Sequence, residues 1–204
     1  MEKRFVLETI QRDSSSFLNC LNAIAASLAA LQTLVDRDNR EPTDHSDYEA
    51  ELSIILSKTG RDIPESEAMS YVLGYTCSHD VSARTQQFKN SQWCFSKGLD
   101  GSCPLDPVLV SPSAIGDPHS LRIRAIHNGH VVQASNTREM IFGIAKTISF
   151  LSQGTTLKRG TVIMTGTGPG IGAMLTPKVV LQDDDDMRVE VENIGTLVNR
   201  VYYE

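Results

Sequence analysis

A chain of 204 residues, 40% of them apolar, is long enough for one domain with a sizeable core, alone or with an appendage. Its formal charge of -6 excludes a general nucleic-acid binder, which needs a basic face to neutralise phosphates, and excludes a polybasic membrane patch. Acidic small molecules stay compatible with that charge, because a bound cation reverses the local sign of a site.

Met1 to Arg12 carries mixed charge and lacks the apolar run of a secretory signal. Phe17 to Val35 holds no charged residue and matches a membrane span in length, yet Asn19, Asn22, Ser27, Gln32 and Thr33 interrupt it. Phe17, Leu21, Ile24, Leu28, Leu31 and Val35 form the seam of an amphipathic helix packed on a soluble protein, with an N-cap among Ser14 to Ser16. Asp36 to Asp47 is charged, contains Pro42 and reads as a linker. Residues 1–46 are thus expected to be an N-terminal helix and linker, and 47–204 the main domain.

Strand patterns dominate the remainder. They fall at Tyr48 to Ser57, Val72 to Cys77, Pro107 to Val110, Leu121 to His127, Val131 to Ala134, Thr161 to Thr165, Lys178 to Leu181, Met187 to Glu192 and Thr196 to Tyr203. Asn128-Gly129 is a hairpin turn signal. Pro64 to Tyr71 is expected to be a short helix opened by proline. Thr137 to Leu151 has helical spacing, with Met140, Ile141, Ile144, Ile148 and Leu151 on one face. Asp183 to Asp186 reads as a solvated turn between strands. Cys20, Cys77, Cys94 and Cys103 form no C-x-x-C pair, which points to reduced thiols of a cytoplasmic protein. The class is α+β, mostly β.

Two places carry chemistry on their face. In Glu49-Ala-Glu51, strand alternation puts both carboxylates on one side, opposite Tyr48, Ala50 and Leu52. Such a pair is either a wet polar face or half of a hard-cation site, with Asp80, directly after a strand, as a candidate third acid. Spacing alone does not bring Asp80 to the pair. Thr165-Gly-Thr-Gly-Pro-Gly-Ile-Gly172 follows a strand but fits neither a P-loop nor the dinucleotide fingerprint. Its glycines permit close backbone approach, to a ligand or within a turn.

Several segments, in order, resemble the fumarylacetoacetate hydrolase family. They are D-Y-E-A-E-L (Asp47 to Leu52), G-Y-T-C-S-H-D-V-S-A-R (Gly74 to Arg84), Q-W-C-F-S-K-G-L-D-G-S-C-P (Gln92 to Pro104), D-P-x-x-L-x-I (Asp117 to Ile123), N-T-x-x-M-I-F (Asn136 to Phe142), T-G-T-G-P-G-I-G (Thr165 to Gly172) and I-G-T-L-V-N (Ile194 to Asn199). The resemblance implies a mixed β-roll with a few helices, a homodimer, and action on small acidic substrates. These are 2-oxo or β-diketo acids, cleaved as fumarylacetoacetate and acylpyruvates are, or decarboxylated or tautomerised as oxaloacetate is. It implies Mg2+ or Mn2+ held by Glu49, Glu51 and Asp80, Lys97 as the catalytic lysine, and substrate contacts from Arg84, Gln87 and Thr167. Relatives often have asparagine at the place of His79, which makes His79, beside a metal ligand, a candidate base. Gly101 stands where many relatives have threonine. The relatives' upstream histidine–glutamate lid pair has no match in Met1 to Asp47, where the only histidine is His45. That gap leaves a second reading: a catalytically impaired or truncated member that binds metal and dimerises. The expected location is the cytoplasm, with the mitochondrion as the alternative.

Overall fold

The computed structural model describes residues 5–9, 45–89 and 91–203. In chain order these form β1 (Phe5–Thr9), β2 (Ser46–Asp47), β3 (Ala50–Leu56), α1 (Glu65–Ala68), β4 (Val72–His79), β5 (Ser82–Ala83), α2 (Arg84–Lys89), α3 (Cys94–Lys97), β6 (Leu105–Val110), β7 (Arg122–His127), β8 (His130–Asn136), α4 (Ile144–Ser152), β9 (Val162–Met164), β10 (Asp186–Val191) and β11 (Gly195–Tyr203). One sheet has the order β1-β11-β10-β7-β8 and a second β6-β4-β3-β9, while β2 and β5 pair separately. All these ladders are antiparallel. This is the mostly β, α+β architecture expected. The helix read over Phe17 to Val35, and Cys20 with it, lie outside the described residues. β1 was not singled out by the sequence pattern; it pairs with β11 at the edge of the larger sheet.

Period-two alternation builds the core. Met187, Val189 and Val191 of β10 turn inward, as do Leu197 and Val201 of β11. They share one core with Ala50, Leu52, Ile54 and Leu56 of β3 and with Tyr75 and Cys77 of β4. β3 is buried along its whole length, flanked by β4 throughout and by β9 from Ser53 to Ile55. Asn128 (φ 48°) and Gly129 (φ 81°) make the tight β7–β8 turn, which needs positive φ at both positions.

Three expectations change. The helix read from Thr137 is two pieces, a single 3-10 turn at Thr137–Glu139 and α4 from Ile144. Gly143 is extended (ψ 164°) and the His119 ring Nε2 accepts the Ile144 N–H at 3.0 Å, so the helix can start only there. Ile144 and Ile148 are buried as expected, but Ile141 is 90% exposed. Lys178 to Leu181 joins no ladder, since Val179 N–H and Leu181 N–H go to the carbonyls of Gly172 and Ser46. Within the acidic run, Asp185 is buried and accepts from Asn128 Nδ2 and Gln182 N–H, both at 2.6 Å, while pairing with His127 Nε2. It clasps the β7–β8 turn rather than facing water.

Candidate metal centre

Strand register supplies what spacing along the chain did not. Ala50 faces His79 and Glu51 faces Ser78 across β3 and β4. Asp80 N–H donates to Glu49 C=O at 3.0 Å, so the pairing runs one step further and sets Asp80 across from Glu49. Alternate residues share a face, so Glu49, Glu51 and Asp80 point the same way. One carboxylate oxygen from each lies within 4.8 Å of the others, and all three residues are buried.

Lys97, at the end of α3, is carried to the same place by the loop that follows it. Ser102 Oγ donates to the carbonyls of Lys97 and Leu99, while Ser102 C=O and Pro104 C=O accept from Val81 and His79 N–H. Lys97 Nζ then lies 2.8 Å from Glu49 Oε2, 2.6 Å from Asp80 Oδ2 and 2.9 Å from Ser82 Oγ. Burial disfavours the ammonium, but Glu49 and Asp80 outweigh it and hold Lys97 protonated, its pKa raised.

Arg84 and Gln87, three apart on α2, share its buried face. Arg84 Nε pairs with Asp47 Oδ2 at 2.8 Å; its Nη1 reaches Glu49 Oε1 at 2.7 Å and Gln87 Oε1 at 2.9 Å. Asp47 is fully buried and also accepts from the N–H groups of Tyr48, Gly172 and Ala173. Sequence reasoning passed over Asp47, Ser82 and Gln133, although the first two lie inside quoted motifs.

The glycine-rich segment serves these carboxylates, not a phosphate. Gly166 N–H donates to Glu51 Oε2 at 2.8 Å. A Cβ at Gly172 would stand 2.8 Å from Asp47 Oδ1 and 2.1 Å from Val179 O, so only glycine fits there. Thr167 Oγ1 donates to Ala50 C=O at 3.0 Å and accepts from Gln133 Nε2 at 2.9 Å.

The charges do not balance. Asp47, Glu49, Glu51 and Asp80 carry four negative charges when ionised; Arg84 and Lys97 return two, leaving a surplus of two. Burial pushes the Glu51 carboxyl up to about 8, with Asp80 and Glu49 adding to the shift and the Gly166 N–H and Lys97 opposing it. Burial also raises Asp80, which Lys97 only partly offsets. Asp80 Oδ1 is buried without a hydrogen-bond partner among the described residues. A two-charge surplus, three convergent hard oxygen donors and an orphan oxygen fit a hard divalent cation. The Cys103 thiol borders the same carboxylates, but burial pushes it up to about 12 and keeps it neutral.

His79 is not brought to this group. It shares the inner face of the sheet with Ala50 and Leu52, opposite Glu51 and Ser78. It is fully buried beside Asn199, which is on β11. Burial pushes its pKa down to about 3, the Asn199 side chain offsetting a little and His127 adding to the fall. An unfolded histidine titrates near 6.5, so below that pH the unfolded chain takes up the proton first. Stability carried by neutral His79 is present above about 6.5 and is lost as pH falls toward about 3. His79→Gln is therefore expected to flatten the decline of melting temperature between pH 6.5 and 4, read by calorimetric melts. An unchanged slope would contradict this. His45 is exposed and bonds Thr85 Oγ1 at 3.0 Å.

Fold and site define a mostly β protein with a buried three-carboxylate centre able to hold a cation. Residues 8–202 match the family model described as fumarylacetoacetate (FAA) hydrolase, C-terminal, and the chain belongs to the fumarylacetoacetate hydrolase family. It is 42% identical over 156 residues to the mitochondrial oxaloacetate tautomerase Fahd2a of Rattus norvegicus, covering 76% of this chain and 50% of that one. It is 38% identical over 165 residues to the oxaloacetate tautomerase YisK of Bacillus subtilis, covering 81% and 55%. The solved fumarylacetoacetate hydrolase of psychrophilic Exiguobacterium antarcticum aligns with a TM-score of 0.74 at 29% identity, covering 98% of this chain and 74% of that one. A 5-carboxymethyl-2-hydroxymuconate delta-isomerase of Mycobacterium smegmatis aligns at 0.69 with 38% identity, covering 76% and 58%. The chain spans about half the length of the curated relatives it matches.

Proposed function

We propose that this chain is a Mg2+- or Mn2+-dependent enzyme acting on small 2-oxo acids, with keto–enol tautomerisation of oxaloacetate as its reaction. The observation that carries the reading is the convergence of Glu49, Glu51 and Asp80 with Lys97 and Arg84 at one buried place. The names of relatives 42% and 38% identical support the choice of reaction.

Tautomerisation moves one proton between C3 and the oxygen on C2, through an enolate. Glu49, Glu51 and Asp80 are the proposed cation ligands. A bound divalent cation supplies Lewis acidity that lowers the cost of the enolate charge. Lys97 Nζ, held protonated, is the proposed proton donor to the enolate oxygen and takes the proton back in reverse, while the C3 proton leaves to solvent water and returns from it, so that Lys97 is reset by the same water. Arg84 is fixed by Asp47, Glu49 and Gln87, and its Nη2 has no hydrogen-bond partner among the described residues. That orphan donor suits a substrate carboxylate. Thr167, bonded to Ala50, lines the carboxylate strand as a further substrate contact. His79 has no role in this scheme.

The proposed assembly is a homodimer; exposed Ile141, Phe142 and Phe150 offer apolar surface for it. The proposed location is the cytoplasm or, as the names of relatives suggest, the mitochondrion. Among the described residues no helix is long and apolar enough to cross a membrane.

The test is the rate of oxaloacetate ketonisation after chelation and after return of Mg2+ or Mn2+, with acylpyruvate cleavage followed in parallel. Ketonisation above the buffer rate only with metal is the expected result. Equal rates in the chelated and metal-loaded protein would remove the reading. Metal-dependent cleavage of acylpyruvate without ketonisation would move the proposal to the hydrolase side of the family.

A further inference from the structure

Gln133 has no role in the scheme above, yet it touches both halves of the carboxylate site. It lies on β8 in the five-stranded sheet, is 3% exposed, and reaches β3 in the other sheet. Its Oε1 accepts from Ala50 N–H, between Glu49 and Glu51, at 3.0 Å. Its Nε2 donates to Thr167 Oγ1 and to Gly168 C=O, both at 2.9 Å. Thr167 Oγ1 in turn donates to Ala50 C=O, and the adjoining Gly166 N–H donates to Glu51 Oε2.

The strand edge explains why an amide stands there. β9 pairs with β3 only from Ser53 to Ile55, so that edge has no strand neighbour at Ala50. A buried backbone N–H and C=O must be satisfied by something. The Gln133 carboxamide takes the N–H, and the Thr167 hydroxyl it holds takes the C=O. A β-bulge aims the side chain: the β7–β8 register passes from Ala125↔Gln133 to Ile126↔Val131, leaving Val132 unpaired. The glycine-rich loop closes on that bulge, because a Cβ at Gly170 would lie 2.4 Å from Val132 O.

We infer that Gln133 is a positioning residue that fixes the Glu49–Glu51 segment and the glycine-rich loop at the spacing a divalent cation requires. The inference rests on the cation-site reading above. Glutamate would not replace it: the oxygen standing in for Nε2 would face Gly168 C=O and a Thr167 hydroxyl whose proton already goes to Ala50. Such a side chain would also enlarge a negative surplus.

The experiment titrates the full chain with Mn2+ alone, without substrate, by calorimetry. The proteins are the parent, Gln133→Met, Thr167→Val and the remote core control Ile148→Val. Gln133→Met is expected to weaken Mn2+ binding roughly 10- to 100-fold, the range for residues that orient metal ligands. Ile148→Val is expected to lower the melting temperature and keep the parental Kd. If Gln133→Met does not fold, Thr167→Val cuts the same link from the loop side and is expected to weaken Mn2+ in the same direction. A folded Gln133→Met with the parental Kd overturns the inference. So does a parental Kd in Thr167→Val when Gln133→Met is unfolded. A parent that binds no Mn2+ removes the cation site and the inference together, whereas a binding parent with unaltered variants removes the inference alone.

Discussion

Glu51→Gln is expected to gain stability without metal while losing Mg2+ and Mn2+ binding and turnover. Glu51 is only 2% exposed and its carboxyl is pushed up to about 8, because burial and then Asp80 and Glu49 oppose its ionisation. Its folded pKa lies above the ordinary carboxylate value of 4.5, so the stability linked to its proton is fully present below about 4.5. That stability is lost as pH rises through about 8. Glutamine mimics the protonated acid at every pH and can still accept from Gly166 N–H, so the metal-free variant should melt higher than the parent above pH 5. The gap should widen up to about pH 8. For the cation the sign reverses, because one of three anionic donors becomes neutral. In the proposed reaction turnover should fall by roughly 10³-fold or more, about 4 kcal/mol, since the enolate would lose its Lewis acid. Thermal melts across pH and calorimetric metal titration check the two halves separately. A variant that binds Mn2+ as the parent does would remove Glu51 from the ligand set.

How much of this site could be read from the chain depends on the distance over which each contact is fixed. The common face of Glu49 and Glu51 follows from alternation within a single strand and needed nothing else. Asp80 enters through an antiparallel register that pairs Ala50 with His79, a relation between segments about 30 residues apart. The same register turns His79 to the opposite face, which sequence adjacency to Asp80 concealed. Lys97 sits on a four-residue helix whose placement depends on Ser102 and Pro104 docking against Val81 and His79. No periodicity encodes that. Gln133 looks like an ordinary polar position on a half-exposed strand until the bulge at Val132 redirects it. Local chemistry did better where one residue dominates: Asn128-Gly129 made its hairpin. Gly143, within the apolar spacing that suggested a helix from Thr137, delayed that helix to Ile144.

Lys97→Met is expected to separate the proposed proton donor from the proposed cation site. In the parent, Lys97 Nζ bridges Glu49 and Asp80, and its side chain is 23% exposed. Methionine keeps the length of the stem and removes the charge, so the negative surplus rises from two to three. Breaking a buried ion pair by deleting one partner costs roughly 3 kcal/mol. The metal-free variant should therefore melt well below the parent. Cation binding moves the other way, because Mg2+ no longer competes with an ammonium for Glu49 Oε2 and Asp80 Oδ2. The rise in melting temperature on adding Mg2+ should consequently exceed that of the parent, as binding to the native state alone requires. Turnover should still fall roughly 10²- to 10⁴-fold, the usual contribution of a positioned proton donor. Tighter metal, lower stability and lost turnover form a combination that a merely structural lysine would not produce. Parental turnover in Lys97→Met would take the proton-transfer role away from it. Weaker Mg2+ binding would instead mean that the ammonium holds Glu49 and Asp80 in their metal-binding geometry.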